Sequence, residues 1–365
     1  MTRSALRLDM RWTPNSLSTV KMRLCPSHGR TVGAAQPDIA AIGPVTIGGV
    51  LRWDGLDQID SHFRGGVVTI GVFDGVHRGH RALIRTALES ARRSDLSCTV
   101  LTFDPNPAEV VGHGAAPTRL ATMRQRVELI SALGADHCVI LKFDDELAQT
   151  SAERFVSDVL VGKLAVARVV VGENFRFGRR ARGDVEMLEL LGRRDGFEVT
   201  GSNLVPVTAA GEPISSSLVR RVVAEGDVAG ATRLLARPHR LEGEVVKGAG
   251  RGQDLGFPTA NVQVSPSIAM PADGVYAGRL VVDPYRGEHK IYPTAISVGT
   301  NPTFDGTERQ VEAFAYNEVG LDLYGRDVAV DFIAKLRDQE RFDTPQELTA
   351  AMTADVANVR RLLGI

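Results

Sequence analysis

The stretch Val67-Val-Thr-Ile-Gly-Val-Phe-Asp-Gly-Val-His-Arg-Gly-His80 decides the architecture. Val67–Phe73 is a short apolar run rich in β-branched residues, and Asp74-Gly75 closes it, which predicts a buried strand followed by a turn. Behind the turn, Leu83, Ile84, Ala87, Leu88 and Ala91 recur at helical spacing. The alternation continues downstream. Ser97–Phe103 reads as a strand, Met123–Leu133 as a helix, and His137–Phe143 and Arg168–Val171 as further strands. Strands separated by helical patterns predict a parallel, doubly wound α/β sheet reaching to about Leu235. From Leu241 the texture changes. Glu242–Lys247, Gly274–Val282, Ile291–Val298, Val311–Tyr316 and Val328–Ile333 are strand-like pieces between Gly- and Pro-bearing turns, as in a small antiparallel β-barrel. Thr344-Pro-Gln-Glu347 combines an N-cap, a proline at the first helical position and a glutamate at the third, and predicts a terminal helix. Ala229–Pro238 is expected to connect the two parts.

A chain of 365 residues is long enough for about two domains. Its 43 basic residues nearly cancel its 44 acidic ones, leaving a formal charge of −1, so composition gives no support for a nucleic-acid or membrane-surface partner. No apolar run approaches the roughly 18 residues of a spanning helix. The three cysteines Cys25, Cys98 and Cys138 are an odd number at unrelated spacings and fit neither a disulfide framework nor a zinc site. A reducing compartment, the cytoplasm, is expected. The first 48 residues carry scattered arginines with little acid and read as an unstructured extension; an organelle transit peptide and a working start near Val50 are the alternatives. The expected organisation is therefore 1–48 extension, 49–235 α/β domain, and 236–365 barrel with its helix.

The junction carries chemistry. Gly71 and Gly75 let the backbone approach a ligand closely. His77 and His80 sit where a helix N-terminus already favours phosphate oxygens, and imidazole donors there suit charge building up on phosphorus. A bare His-x-x-His also suits two surface histidines, whereas metal ligation lacks a third ligand nearby. Farther on, Lys247-Gly-Ala-Gly-Arg-Gly-Gln-Asp-Leu-Gly-Phe-Pro-Thr-Ala-Asn261 begins with glycines, among them Gly248 and Gly250, able to wrap a phosphate chain, although Gly-Lys-Ser/Thr is absent. Thr259 and Asn261 point the same way if that segment is extended, and a hydroxyl and an amide oxygen are hard ligands for Mg²⁺.

Gly71–His80 resembles the nucleotide-binding string of the bacterial bifunctional riboflavin kinase/FAD synthetases. The resemblance runs through Thr102-Phe-Asp-Pro-Asn-Pro107, Val171-Gly-Glu-Asn-Phe-Arg-Phe-Gly178, Ile214-Ser-Ser-Ser-Leu-Val-Arg220, Phe257-Pro-Thr-Ala-Asn261 and Ser297-Val-Gly-Thr-Asn-Pro-Thr-Phe304, covering about Val50 to the C-terminus. It implies two reactions: ATP-dependent phosphorylation of riboflavin to FMN in the barrel, and adenylylation of FMN to FAD with release of pyrophosphate in the α/β domain. It assigns His77 and His80 to transition-state stabilisation and Gly71, Phe73, Asp74, Gly75, Asp104, Asn174, Ser216 and Arg220 to substrates, with Asp104 also a candidate Mg²⁺ ligand. In the barrel it assigns Gly248, Gly250, Thr259 and Asn261 to the Mg²⁺–nucleotide site and Glu312 to the base for the ribityl hydroxyl. Asn106 and Pro213 depart from the family, which has His or Gln and often a basic residue there. A kinase with an impaired adenylyltransferase domain, and a non-enzymatic flavin-binding protein, are the competing expectations.

Overall fold

The computed structural model describes residues 45–60, 63, 65–112, 114–202, 211–248, 258–300, 309–316 and 321–365. The N-terminal sheet has seven strands: β1 (Val45–Ile47), β2 (Val50–Asp54), β3 (Val67–Ile70), β4 (Cys98–Asp104), β5 (His137–Lys142), β6 (Arg168–Gly172) and β7 (Glu198–Ser202), in the order β1-β2-β5-β4-β3-β6-β7. All pairings are parallel except β1 with β2. All four residues of β3 are buried, as a parallel strand covered on both faces requires. Val67 joins one apolar layer with Ile84, Leu88 and Ile130, while Val68 and Ile70 join the opposite layer with Phe155, Leu160 and Leu188. This is the doubly wound fold expected. Cys98 and Cys138 are buried free thiols, pushed up to about 12 by that burial; Cys25 lies outside the described residues.

The extension expected over 1–48 falls on residues outside the described ones, apart from 45–48. Val45–Ile47 form β1, which pairs with β2 and ties the chain into the sheet before residue 48.

The C-terminal part is a closed barrel, β10-β11-β12-β9-β8-β13. Its strands are β8 (His239–Val246), β9 (Ala260–Val264), β10 (Gly274–Val282), β11 (Lys290–Thr300), β12 (Arg309–Ala315) and β13 (Asp327–Arg337). Leu241, Val262, Leu280, Ile296, Val311 and Phe332 fill its interior. The terminal helix Pro345–Leu363 starts with both halves of the capping box at Thr344 and Glu347. The expected connector, Ala229–Pro238, begins inside a helix: Val228–Leu235 is capped by Asp227, and its Ala231, Leu234 and Leu235 are buried against Leu120 and Ile214. Its alanines and glycine let it pack closely, which reads in sequence as a weak helical signal.

The two parts are stitched together. Arg119 of the α/β part exchanges backbone hydrogen bonds with Ser267 (2.7 Å) and Ala269 (2.8 Å) of the barrel part. Thr122 donates to Glu242 at 2.8 Å, and the Arg124 guanidinium lies 3.9 Å from the centre of the Tyr285 ring.

Candidate active sites

Strand order places the first site. The chain runs from β3 to β4 on one side and from β6 to β7 on the other, so the crevice beyond the carboxyl ends of β3 and β6 is the topological switch point. Gly71 follows β3 and Asn174 follows β6. Beyond Gly71 the backbone is strained: Phe73 (φ 50°) and Val76 (φ 40°) occupy left-handed conformations that side chains disfavour, beside Gly75 at φ 74°. This turn delivers His77 as the N-cap of the helix Arg78–Arg93. A Cβ on Gly71 would fall 3.0 Å from the Phe73 ring, a tight contact, and one on Gly75 2.8 Å from Leu120, where the positive φ also favours glycine.

The His77 and His80 rings stack with centroids 3.5 Å apart, and Phe73 meets His80 edge-on at 5.3 Å. His77 Nδ1 accepts from the His80 backbone N–H at 3.3 Å, so the neutral ring carries its proton on Nε2 and presents it as a donor. Burial, then the charges of Arg237 and Arg220, lower His77 to about 4. His80 is driven well below the usual histidine range by burial, with smaller contributions from His77 and Arg126. Both imidazoles are neutral near pH 7.

Asp74 sits inside the turn. Its carboxylate is buried, accepts twice from the Leu120 N–H (2.9 and 3.1 Å), takes Arg220 Nη2 at 2.7 Å, and faces Arg126 at 3.8 Å. Asp74 thereby orients Arg220 and closes the turn. Ser216 Oγ donates to the Asp74 carbonyl at 3.0 Å, bringing the start of the helix Ser216–Ala224 beside the same turn. Asp104, at the end of β4, pairs with Arg119 at 3.1 Å. Arg119 also holds Glu109 at 2.9 Å. Asn106 caps the helix Pro107–Val111 through a hydrogen bond from Ala108 at 3.1 Å, which gives this departure from the family a local structural use. Asn174 is exposed at the crevice, whereas Phe177 belongs to the core with Phe175 stacked on it at 5.4 Å. Arg119 and Arg126 carry no sequence signal, because Asp104, Asp74 and the barrel residues that fix their places are not neighbours in the chain.

The second site is assembled by barrel register. Asn261 on β9 is the direct cross-strand partner of Glu312 on β12, and Ser297 on β11 pairs with Glu312 from the other side. Ala260 and Val262 point into the barrel, as do Val311 and Ala313, so Asn261 and Glu312 share the outer face. Thr259 immediately precedes β9. Gly248 lies against the Asn261 amide so closely that a Cβ there would fall 2.0 Å from Nδ2. The barrel thus brings Gly248, Asn261 and Glu312 together, and Gly250 lies outside the described residues. Among the described residues there is no group of three or more His, Cys, Asp or Glu able to hold a metal.

An α/β nucleotide-site domain fused to a barrel with a paired carboxylate and amide is the class this geometry defines. Residues 59–218 match the FAD synthetase family and residues 235–363 the riboflavin kinase family. The bifunctional riboflavin kinase/FMN adenylyltransferase of Escherichia coli K12 is 37% identical over 301 residues, covering 82% of this chain and 94% of that one. The same enzyme of Pseudomonas fluorescens is 37% identical over 84% of this chain and 96% of its own, and that of Bacillus subtilis 32% identical over 79% and 90%. A crystal structure described as a macrolide-efflux protein from Streptococcus pneumoniae shares the fold, with a TM-score of 0.76 and 28% identity over 86% of this chain and 99% of that one. The chain belongs to the family of bifunctional riboflavin kinase/FMN adenylyltransferases.

Proposed function

We propose that this chain makes FAD from riboflavin in two steps, with separate machinery for each. In the barrel, the ribityl 5′-hydroxyl attacks the γ-phosphorus of ATP. Its proton passes to Glu312, the bond to the β-phosphate oxygen breaks, and ADP leaves beside FMN. The in-register pairing of Glu312 with Asn261 is the observation that carries this assignment. Thr259 and Asn261 are the residues that would hold Mg²⁺: a hydroxyl and an amide oxygen are hard donors, and the bare α-carbon of Gly248 leaves the amide its room. Bound there, Mg²⁺ supplies neutralising charge to the phosphates.

In the α/β domain, a phosphate oxygen of FMN forms a bond to the α-phosphorus of ATP as the α–β bridge breaks and pyrophosphate departs. The attacking phosphate is already ionised, so no strong base is needed. His77, neutral and with its proton on Nε2, donates to oxygen atoms gaining charge, and His80 holds that ring by stacking. Arg220 and Ser216 position phosphates from the neighbouring helix, and Asn174 contributes from beyond β6. The ion pair of Asp104 with Arg119 supports a positioning role for Asp104 rather than a metal ligand's. Buried, free Cys98 and Cys138 support a cytoplasmic setting.

Incubation of the purified chain with riboflavin, ATP and Mg²⁺, followed by chromatography, tests both steps. FMN and ADP, then FAD and pyrophosphate, are the expected products. FMN without FAD leaves a kinase with an impaired transferase domain, and tight flavin binding without ADP leaves a non-enzymatic binder.

A further inference from the structure

Arg237 stands in an unusual position. It follows Ala236, which turns the chain in the left-handed region (φ 57°) at the end of the helix Val228–Leu235. A non-glycine residue there costs free energy that the surroundings must hold, and it sends Arg237 inward. The Nε, Nη1 and Nη2 atoms of the guanidinium are all buried, and none has a hydrogen-bond partner. A buried guanidinium with its donors unmet is among the costliest arrangements in a folded chain.

The neighbouring charges leave it unpaired. Asp331 is taken by Arg240 through two bonds of 2.7 Å, and Asp74 is taken by Arg220 and the Leu120 N–H. Arg81 and Arg240 add like charge, and with burial they lower Arg237 to about 10, which still leaves it a cation at neutral pH. Its field reaches His77, on which it acts more strongly than Arg220 does. His80 Nδ1 and Arg126 Nε, beside the same turn, are also buried without partners. Unmet donors and positive charge therefore gather around the turn that carries His77 and the helix start of Ser216 packed on it.

We propose that Arg237 is a phosphate-binding residue of the adenylyl-transfer site, supplied by the segment that joins the two domains. The inference rests on the adenylyl-transfer reading above. A planar fork of donors matches two oxygens of one phosphate, and a bound phosphate satisfies the nitrogens that the protein leaves open. The phosphate comes either from ATP or from FMN, and kinetics separates the two.

The test uses the full chain with Arg237→Gln and Arg237→Lys. In FAD formation from supplied FMN, Arg237→Gln is expected to raise one KM about tenfold or more, the scale of a lost charge-assisted hydrogen bond. A rise confined to ATP assigns the nucleotide, and a rise confined to FMN assigns the flavin phosphate. Arg237→Lys, which keeps the charge without the fork, should fall between wild type and Arg237→Gln. Kinase turnover on the same preparations reports the folded fraction, and if Arg237→Gln does not fold, Arg237→Lys carries the comparison. Magnesium pyrophosphate and FMN serve as probes independent of turnover: at least one of them should raise the melting temperature of the wild type and do so much less for the variant. Both KM values within about twofold of wild type, or equal shifts with both probes, overturn the proposal. Wild-type protein that makes no FAD refutes the transfer reading instead, and the comparison with the two probes still decides the role of Arg237.

Discussion

Asp74→Asn removes one negative charge from a site where two guanidiniums depend on it. The Asp74 side chain is 1% exposed and that of Arg126 2%, so water cannot replace the lost partner. In the variant an amide nitrogen or a neutral oxygen faces Arg220 Nη2 at the 2.7 Å now held by a carboxylate. One of the two hydrogen bonds from the Leu120 N–H survives at best. Breaking a buried ion pair from one side costs roughly 3–5 kcal/mol, and the lower end applies here because Arg220 is 17% exposed and turns partly to solvent. Urea unfolding followed by fluorescence should show a midpoint lower by about 1 M or more for an m value of a few kcal/mol per M. FAD formation should fall as well, since Arg220 loses the carboxylate that orients it. Pairing Asp74→Asn with Arg220→Met should recover part of the stability, as the second change removes the orphaned charge. A loss below about 1 kcal/mol in the single variant would show that the ion pair does not hold the turn.

Glu312→Gln should lower FMN formation by roughly 10²- to 10⁴-fold while FAD formation from supplied FMN continues, which a coupled assay of each half-reaction separates. Gly248→Ala pushes a methyl against the Asn261 amide and should reduce kinase kcat/KM by about tenfold to a hundredfold, with a similar effect on adenylylation counting against the placement. Acid should destabilise the fold through His77 and His239, each lowered to about 4 when folded against 6.5 when unfolded. The unfolded chain binds the extra protons, so this stability is complete above pH 6.5 and is lost as pH falls toward 4, by ~3 kcal/mol for each imidazole. Urea midpoints measured from pH 7 to pH 4.5 should show that slope, and His77→Gln should flatten it; an unchanged slope would place the titration elsewhere.

The sheet was legible because its strands are buried on both faces, so Val67–Ile70 and Cys98–Asp104 stand out as apolar runs without needing any partner to be known. The capping box at Thr344 and Glu347 was equally local. Strand β9 was harder, since Ala260-Asn-Val-Gln-Val264 alternates over only two inward residues and its pairing with Glu312 depends on barrel closure. The helix Val228–Leu235 was hidden by alanine and glycine, whose packing value comes from what lies across the interface. At the first site, glycines and histidines declared themselves by spacing. The contacts of Asp74 did not, because Leu120 and Arg220 are distant in sequence. Arg237 was silent for the same reason: being left without partners is a property of the folded surroundings and has no motif.

Arg119 gives its main chain to Ser267 and Ala269 and its guanidinium to Asp104 and Glu109. One residue is thereby a rivet between the two parts and a clasp on the end of β4 at once. Severing the polypeptide at the junction would not yield two self-sufficient enzymes, because the transferase half would forfeit the docking that fixes its own arginine. The fusion is thus part of how the upstream half is built, and a stand-alone version would need that anchorage rebuilt from within.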